Sequence, residues 1–346
     1  MRIDGATGEG GGQVLRSALS LSLLTRTPIE IFNIRARRSK PGLRPQHLRA
    51  VEAAAEVGQA RLEGNRIGSA ELHFRPTQVA SGRYRFDIGT AGATSLVLQT
   101  VYLPLALLAA PSSVRVTGGT HVPLSPCFHY LDLSWRWHLA RAGVALALTL
   151  ERAGFYPPGG GIIHAAIEPG ARVRPLWLEQ RGALLGVRGI SAGARLPAHV
   201  AERQREQARA RLSERDVRAD IEVERLDARS PGSMLLLLAE FEHARACYFA
   251  LGERGKPAER VADEAADALL AFLQTDAVVD EYLADQLLLP LAFAEGDSIL
   301  VAARITEHLR TNAEIIRLFL PVDFDIAGDR DTPGAVHIRP HRTLTA

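Results

Sequence analysis

RIDGATGEGGGQVLRSALSLSLLTRTPIEIFNIR, from Arg2 to Arg35, is the stretch that decides the architecture. A short strand-like segment opens it and a glycine-rich turn follows. An apolar run from near Val14 has the length of a helix, and a β-branched run closes the segment. The same order, strand, small-residue turn, apolar helix, strand, recurs in YRFDIGTAGATSLVLQTVYLPLALLAAPSSVRVTG, from Tyr84 to Gly118. It recurs more weakly in AVVDEYLADQLLLPLAFAEGDSILVAAR, from Ala277 to Arg304. A second helix follows each, predicted over Arg44–Val57, Leu124–Ala142 and Thr311–Phe319. Then come paired strands with similar endings: HFRP at 73–76, AIEP at 166–169 and HIRP at 337–340. Each copy is about βαβαββ. One such unit cannot easily bury its own helix face, so the copies are expected to stack around one core.

About a hundred residues separate the second copy from the third, and they carry structure of their own. Leu184–Ile190, Ala219–Glu224, Met234–Glu240 and Ala246–Leu251 alternate or run apolar like strands. A highly charged helix opens after Pro197 and runs from Ala198 to Leu212, and an amphipathic one covers Val261–Leu273. The expected fold class is therefore α/β (α+β). Three repeated βαβαββ units form a core, residues 1–180 and 276–346, and a smaller inserted α/β domain spans 181–275. No motif assigned to chemistry lies in the insert, so it is expected to matter less than the core.

At 346 residues, 47% hydrophobic and 23% charged, the chain can bury a large core. No run of eighteen apolar residues occurs, which argues against a membrane span. The N-terminus starts directly in a strand-like segment without an apolar signal core, so the expected compartment is cytoplasmic. Cys127 and Cys247 have no CxxC or metal-like partner, which argues against a disulfide framework or a zinc site. The formal net charge of +2 does not by itself suggest nucleic acid, but the distribution is uneven. Residues 35–49 hold Arg35, Arg37, Arg38, Lys40, Arg44, His47 and Arg49 with no acidic residue. Pro41-Gly42-Leu43 within this run marks an ordered turn rather than a tail. It reads as a phosphate-facing loop, since arginine forks suit phosphate groups.

Chemical candidates sit at the turns. Gly8-Glu9-Gly10-Gly11-Gly12-Gln13 joins a strand to a helix, where glycine lets backbone N–H groups approach an anion. No Gly-Lys-Ser/Thr follows, so this is not a Walker A motif. Glu9 would repel phosphate unless a divalent cation lay between them, which points to a metal-bound nucleotide. Tyr156-Pro157-Pro158-Gly159-Gly160-Gly161 reads as a tight strand entry.

Six motifs then stand in one order: DGATGEGGGQVLRSALSLS (4–22), RARRSKPGLRPQHL (35–48), GTAGATSLVLQT (89–100), GFYPPGGG (154–161), EYLADQLLLP (281–290) and EHLRTN (307–312). In that order they resemble RNA 3'-terminal phosphate cyclases over nearly the whole chain, least in the insert. The resemblance implies that His308, in the loop leading into the last copy's second helix, is the adenylylated nucleophile. Lys40, in KPGL, and Lys256, in KPAE, do not have the Lys-x-Asp-Gly setting of lysine-based nucleotidyl transferases. It further implies that Arg16, Arg35, Arg38, Gln46 and His47 line the phosphate site, beside Arg44 of the basic loop. Gln99, Pro126, Tyr130, Tyr282, Asp285 and Gln286 would frame the nucleotide, and Glu9 would hold Mg2+ or Mn2+. ATP is the implied co-substrate and an RNA with a 3'-terminal phosphate the implied partner. A homodimer is a candidate assembly. Two rivals are enolpyruvyl transferases, which carry six copies of a similar unit, and a non-catalytic ribosome-assembly relative, which lacks the nucleophilic histidine.

Overall fold

A computed structural model describes residues 1–341 of the chain. The first copy comprises β1 (Arg2–Asp4), α1 (Gly12–Thr25), β2 (Ile29–Phe32), α2 (Pro45–Gly58), β3 (Arg61–Glu63) and β4 (Leu72–Arg75). Its sheet runs β1-β2-β4-β3, with β1 and β2 parallel and the other pairs antiparallel. A parallel pair needs a crossover, and α1 supplies it. The second copy repeats the pattern: β5 (Arg83–Asp87), α3 (Thr94–Ala106), β6 (Ser112–Gly118), α4 (Phe128–Tyr130), α5 (Arg136–Arg141), β7 (Leu146–Arg152) and β8 (Gly161–Ile167), in sheet order β5-β6-β8-β7. A π-helical stretch, Leu131–Trp135, joins α4 to α5. This helix was expected to start at Leu124 but begins at Phe128, because Leu124 takes a left-handed φ of 61° that no helix accepts. Strand periodicity sets what faces inward: in β5, Tyr84 and Phe86 are buried while Arg83, Arg85 and Asp87 are exposed.

The third copy departs from its expected form. Its first strand is in two pieces on one partner. Trp177 and Leu178, forming β9 (Trp177–Leu178), pair in parallel with Ile299 and Leu300 of β14 (Ser298–Ala302). Val279, on the far side of the intervening segment, bridges in parallel to Ala302 of the same strand. The segment is thus spliced into a strand of copy three and does not lie between two complete copies. Both cut ends are held by β14, so they stay close, the circumstance in which insertions are tolerated.

Within the splice, β10 (Leu184–Ala194), β11 (Ala219–Arg225), β12 (Gly232–Phe241) and β13 (Arg245–Leu251) form a sheet ordered β11-β10-β12-β13, covered by α6 (Ala198–Ser213) and α7 (Ala258–Leu273). Strand β12 has two apolar faces. Leu235, Leu237 and Ala239 pack under these helices, whereas Met234, Leu236 and Leu238 join the apolar cluster of the three copies. The unbroken run MLLLLA is the signature of a strand covered on both sides. Met234, Leu236 and Leu238 thus tie the segment to the core, and removing it would uncover an apolar face.

Copy three is completed by α8 (Glu281–Leu291), α9 (Glu307–Phe319), β15 (Val322–Ala327) and β16 (Gly334–Pro340), with sheet order β15-β16-β14-β9. Helix α1 packs on α2, α3 and α9, and its run from Val14 to Leu23 is buried except at Arg16. Among the described residues no helix is long and apolar enough to cross a membrane, and both cysteines are free and buried.

Candidate active site

The turn between β1 and α1 is the centre from which the site is built. Gly8 and Gly10 have φ of +56° and +58°, a region glycine enters at little cost. A Cβ at Gly8 would stand 1.9 Å from Oγ1 of Thr311 on α9, so the turn is pressed against that helix. Gly11 is the N-cap of α1; no side chain caps it, and the first turn holds no acidic residue. The leading N–H groups and the positive end of the helix dipole are thus left for an anion.

Arginines surround this turn. Arg38 Nη2 donates to Glu9 Oε2 at 3.0 Å, and Arg37 Nη1 donates to the Gly8 carbonyl at 2.6 Å. Arg16 lies half-buried on α1; burial lowers its pKa to about 10 against the opposing pull of Asp285, so it stays charged at neutral pH. Arg35 Nη1 donates to the carbonyls of Lys40 and Gly42 at 2.7 and 3.0 Å, so part of its fork secures the basic loop. Its pKa is lowered by burial and then by Arg38 and Arg44. His47, in the first turn of α2, accepts the Arg44 backbone N–H on Nδ1 at 3.4 Å. Burial, then Arg16, Arg35 and Arg44, lower its pKa to about 3, so the ring is neutral with its proton on Nε2. That nitrogen faces Gly12, where a Cβ would sit 2.4 Å away. Gln46 Oε1 accepts from the Ala93 N–H at 3.2 Å, just before α3 of the second copy.

His308 lies in the first turn of α9 and not in a preceding loop. Thr306 is the N-cap, its hydroxyl accepting the Leu309 N–H at 3.1 Å, so the helix starts four residues earlier than its apolar pattern predicts. The ring is 46% exposed and its Nδ1 stands 3.1 Å from Glu9 Oε2. A proton on Nδ1 would face that carboxylate and leave the lone pair of the neutral ring on Nε2. Burial lowers the pKa of His308, and Arg16 and Arg38 push the same way against Glu9 and Glu307. Gln13 Nε2 reaches both the His308 carbonyl at 3.3 Å and Asp285 Oδ2 at 3.4 Å.

The remaining candidates stand farther along the same cavity of about 1570 Å³, which is lined by Arg16, Gln99, Pro126, Tyr130, Tyr282, Asp285, Gln286 and His308. Gln99 Nε2 donates to Gln286 Oε1 at 2.6 Å, and Gln286 Nε2 to the Tyr282 carbonyl at 2.7 Å. Asp285 is pushed up to about 7 by burial, although Arg16 and Gln13 act against it. Tyr282 is exposed, whereas Tyr130 is buried and its hydroxyl donates to Asp280 Oδ1 at 2.7 Å, leaving chiefly its ring for contact. Glu9, Arg35, Arg38, Arg44, Gln46 and His47 do not line this cavity.

Sequence reasoning missed several residues here. Gln13, Ser17 and Asn312 tie α1, α8 and α9 together: Ser17 Oγ donates to Asn312 Oδ1 at 2.7 Å and Asn312 Nδ2 to the Asp285 carbonyl at 2.8 Å. All three lie inside the quoted motifs, yet no spacing rule marks them. The other wall comes from the spliced segment, including Arg203, Gln204 and the 251–257 loop. Among the described residues no three His, Cys, Asp or Glu side chains gather to hold a metal ion. Glu9 is a lone carboxylate, shared by Arg38 and His308. Chemically this is a half-exposed imidazole set among cations near an uncapped helix terminus, an arrangement that suits phosphate groups.

Comparison with known proteins agrees. Residues 7–326 match the family RNA 3'-terminal phosphate cyclase. The RNA 3'-terminal phosphate cyclase of Methylococcus capsulatus is 47% identical over 92% of this chain and 91% of that protein. That of Methanopyrus kandleri is 44% identical over 98% and 99%, and that of Ralstonia nicotianae 48% identical over 96% and 94%. The chain belongs to the RNA 3'-terminal phosphate cyclase family.

Proposed function

We propose that this enzyme uses ATP to convert an RNA 3'-terminal phosphate into a 2',3'-cyclic phosphate through a covalent His308–AMP intermediate. The observation that carries the reading is the place of His308: half exposed on the cavity wall, with Nδ1 3.1 Å from the Glu9 carboxylate. Nε2 attacks the α-phosphorus of ATP, the bond to the β-phosphate oxygen breaks, and pyrophosphate leaves. Glu9 balances the imidazolium charge that develops, and Arg16 and Arg38 balance the phosphates. An oxygen of the RNA 3'-phosphate then attacks the adenylyl phosphorus and frees His308. Last, the neighbouring 2'-hydroxyl attacks the 3'-phosphorus, and AMP departs. This step is intramolecular, so holding the RNA end still supplies much of its rate. Neutral His47 offers a hydrogen-bond donor with no charge to trap a product.

The donor set suits a divalent ion that enters with the triphosphate, with Glu9 as its one acidic ligand, because Mg2+ and Mn2+ accept one or two carboxylates plus substrate phosphates. Bound there, such an ion would offset triphosphate charge. The test is incubation with α-labelled ATP and metal, then with 3'-phosphorylated RNA. The protein should carry label in an acid-labile, alkali-stable bond and the RNA should end in a cyclic phosphate. Labelled protein that leaves such RNA unchanged would mean the adenylyl group has another acceptor.

A further inference from the structure

Exposed apolar side chains gather where the cavity opens. Among the described residues eleven large hydrophobic side chains stand exposed, and four of them, Leu124, Tyr156, Leu196 and Tyr282, line this one cavity. Tyr282 belongs to the nucleotide frame; the other three have no part in the reaction as derived. Leu124, between β6 and α4, is fully exposed with a φ of 61°. A bulky residue in that region is a true outlier, and such strain concentrates at functional sites. Tyr156, between β7 and β8, is 70% exposed on an anchored turn. Its neighbour Phe155 stacks on His121 at 5.1 Å, and at Gly159 a Cβ would meet the Ala91 Cα at 2.7 Å. Leu196 is 37% exposed and comes from the opposite wall, just before α6. On that wall Arg203 pairs with Glu259 and Lys256 with Glu264, but Arg254 has no acidic partner among the described residues.

The cavity, about 1570 Å³, is larger than the roughly 300–1000 Å³ that a small ligand usually occupies. Space beyond the nucleotide therefore remains next to His308. An enzyme acting on RNA ends cannot rely on base-edge hydrogen bonds, which differ among the four bases. Every base does present an apolar π-face, and every strand a phosphate backbone. Resting on the cyclase reading above, we propose that Leu124 and Tyr156 form a sequence-tolerant platform for the last bases of the RNA strand, with Leu196 facing it from the other wall. Arg254 meets the strand's backbone, and the platform holds the 3'-phosphate at the adenylyl group on His308.

The experiment uses the full chain and a 3'-phosphorylated RNA carrying 2-aminopurine as its last base. Binding should quench the fluorophore, as stacking does. Tyr156→Ala should abolish the quench and raise KM for RNA roughly tenfold or more, while kcat changes little. Tyr156→Phe and Tyr156→Trp should restore both. Leu124→Gly removes the side chain at a φ that glycine accepts, so a higher KM in that variant reports lost contact and not a distorted loop. Unchanged KM and quench in Tyr156→Ala and Leu124→Gly would overturn the platform. So would loss of labelling by α-labelled ATP in Tyr156→Ala, since that would assign Tyr156 to the nucleotide half or to the fold. If the wild type is labelled but cyclises no RNA, the cyclase reading itself fails and the platform falls with it.

Discussion

Each copy carries a histidine in the first turn of its second helix, and the three serve different ends. His47 on α2 is 6% exposed and hemmed in by Gly12 and by Arg16, Arg35 and Arg44. It is a neutral ring with a hydrogen bond to give. His129 on α4 is buried, and both of its nitrogens are engaged: Nδ1 lies 2.9 Å from His121 Nε2, and Nε2 lies 3.4 Å from Glu224 Oε2 of the spliced segment. Thr120 Oγ1 stands 2.7 Å from His121 Nδ1 and accepts the Gly154 N–H at 2.9 Å. Because Glu224 can only accept, the protons of this row point from Thr120 toward Glu224, and the row joins the core to the segment. Of the three, His308 alone lines the cavity, half exposed, with Glu9 3.1 Å from its Nδ1. The lesson is that residue type and repeat position do not fix a side chain's surroundings; what packs against it does.

The largest expected effect breaks the comparison outright. His308→Ala should abolish labelling by α-labelled ATP, whereas His129→Gln should still be labelled. Label persisting in His308→Ala would show the nucleophile to be misassigned.

Next come the cations around the glycine turn. Arg38→Ala removes a charge-assisted contact of about 1.5–3 kcal/mol, so kcat/KM on 3'-phosphorylated RNA should fall roughly one to two orders of magnitude. RNA ending in a 3'-hydroxyl should be inert throughout. Unaltered kinetics would leave Arg38 only the partner of Glu9.

A smaller shift tests the carboxylate. Attack needs a neutral ring, so labelling should decline as pH drops through the His308 pKa, which lies below the ordinary 6.5. Glu9 raises that pKa, so Glu9→Gln should move the acid limb of the labelling rate to still lower pH at saturating metal. A limb that stays put or moves upward would separate Glu9 from His308.

The smallest effect concerns His129. Glu224→Gln weakens one partly exposed hydrogen bond, worth about 0.5–1.5 kcal/mol, and should lower Tm by about 1–3 °C in a thermal melt. Loss of labelling without any change in Tm would instead make the row part of the chemistry.

Much of the core was legible because it is local. Alternation in Arg83–Asp87 and the apolar run after Val14 reflect which side chains can face a common interior. Helix α9 begins at Glu307 under a Thr306 cap, ahead of the apolar stripe that starts at Thr311, and so carries His308 in its first turn. Other features had no local mark. Nothing around Leu178 or Val279 shows that the two share β14, because strand pairing is chosen by the partner, far away in the chain. Gln13 and Asn312 acquire meaning only where α1, α8 and α9 meet.

The sequence by itself determined the repeated strand–helix units, the glycine turn, the basic loop and, through its motifs, the family. Those follow from short-range periodicity, turn chemistry and spacing. Tertiary structure alone decided that the first strand of copy three is cut, that β12 is apolar on both faces, and that His308 stands half exposed on the cavity while His47 and His129 are buried. Burial, dielectric environment and hydrogen-bond partners depend on what packs against a residue from elsewhere, and side-chain identity does not specify them.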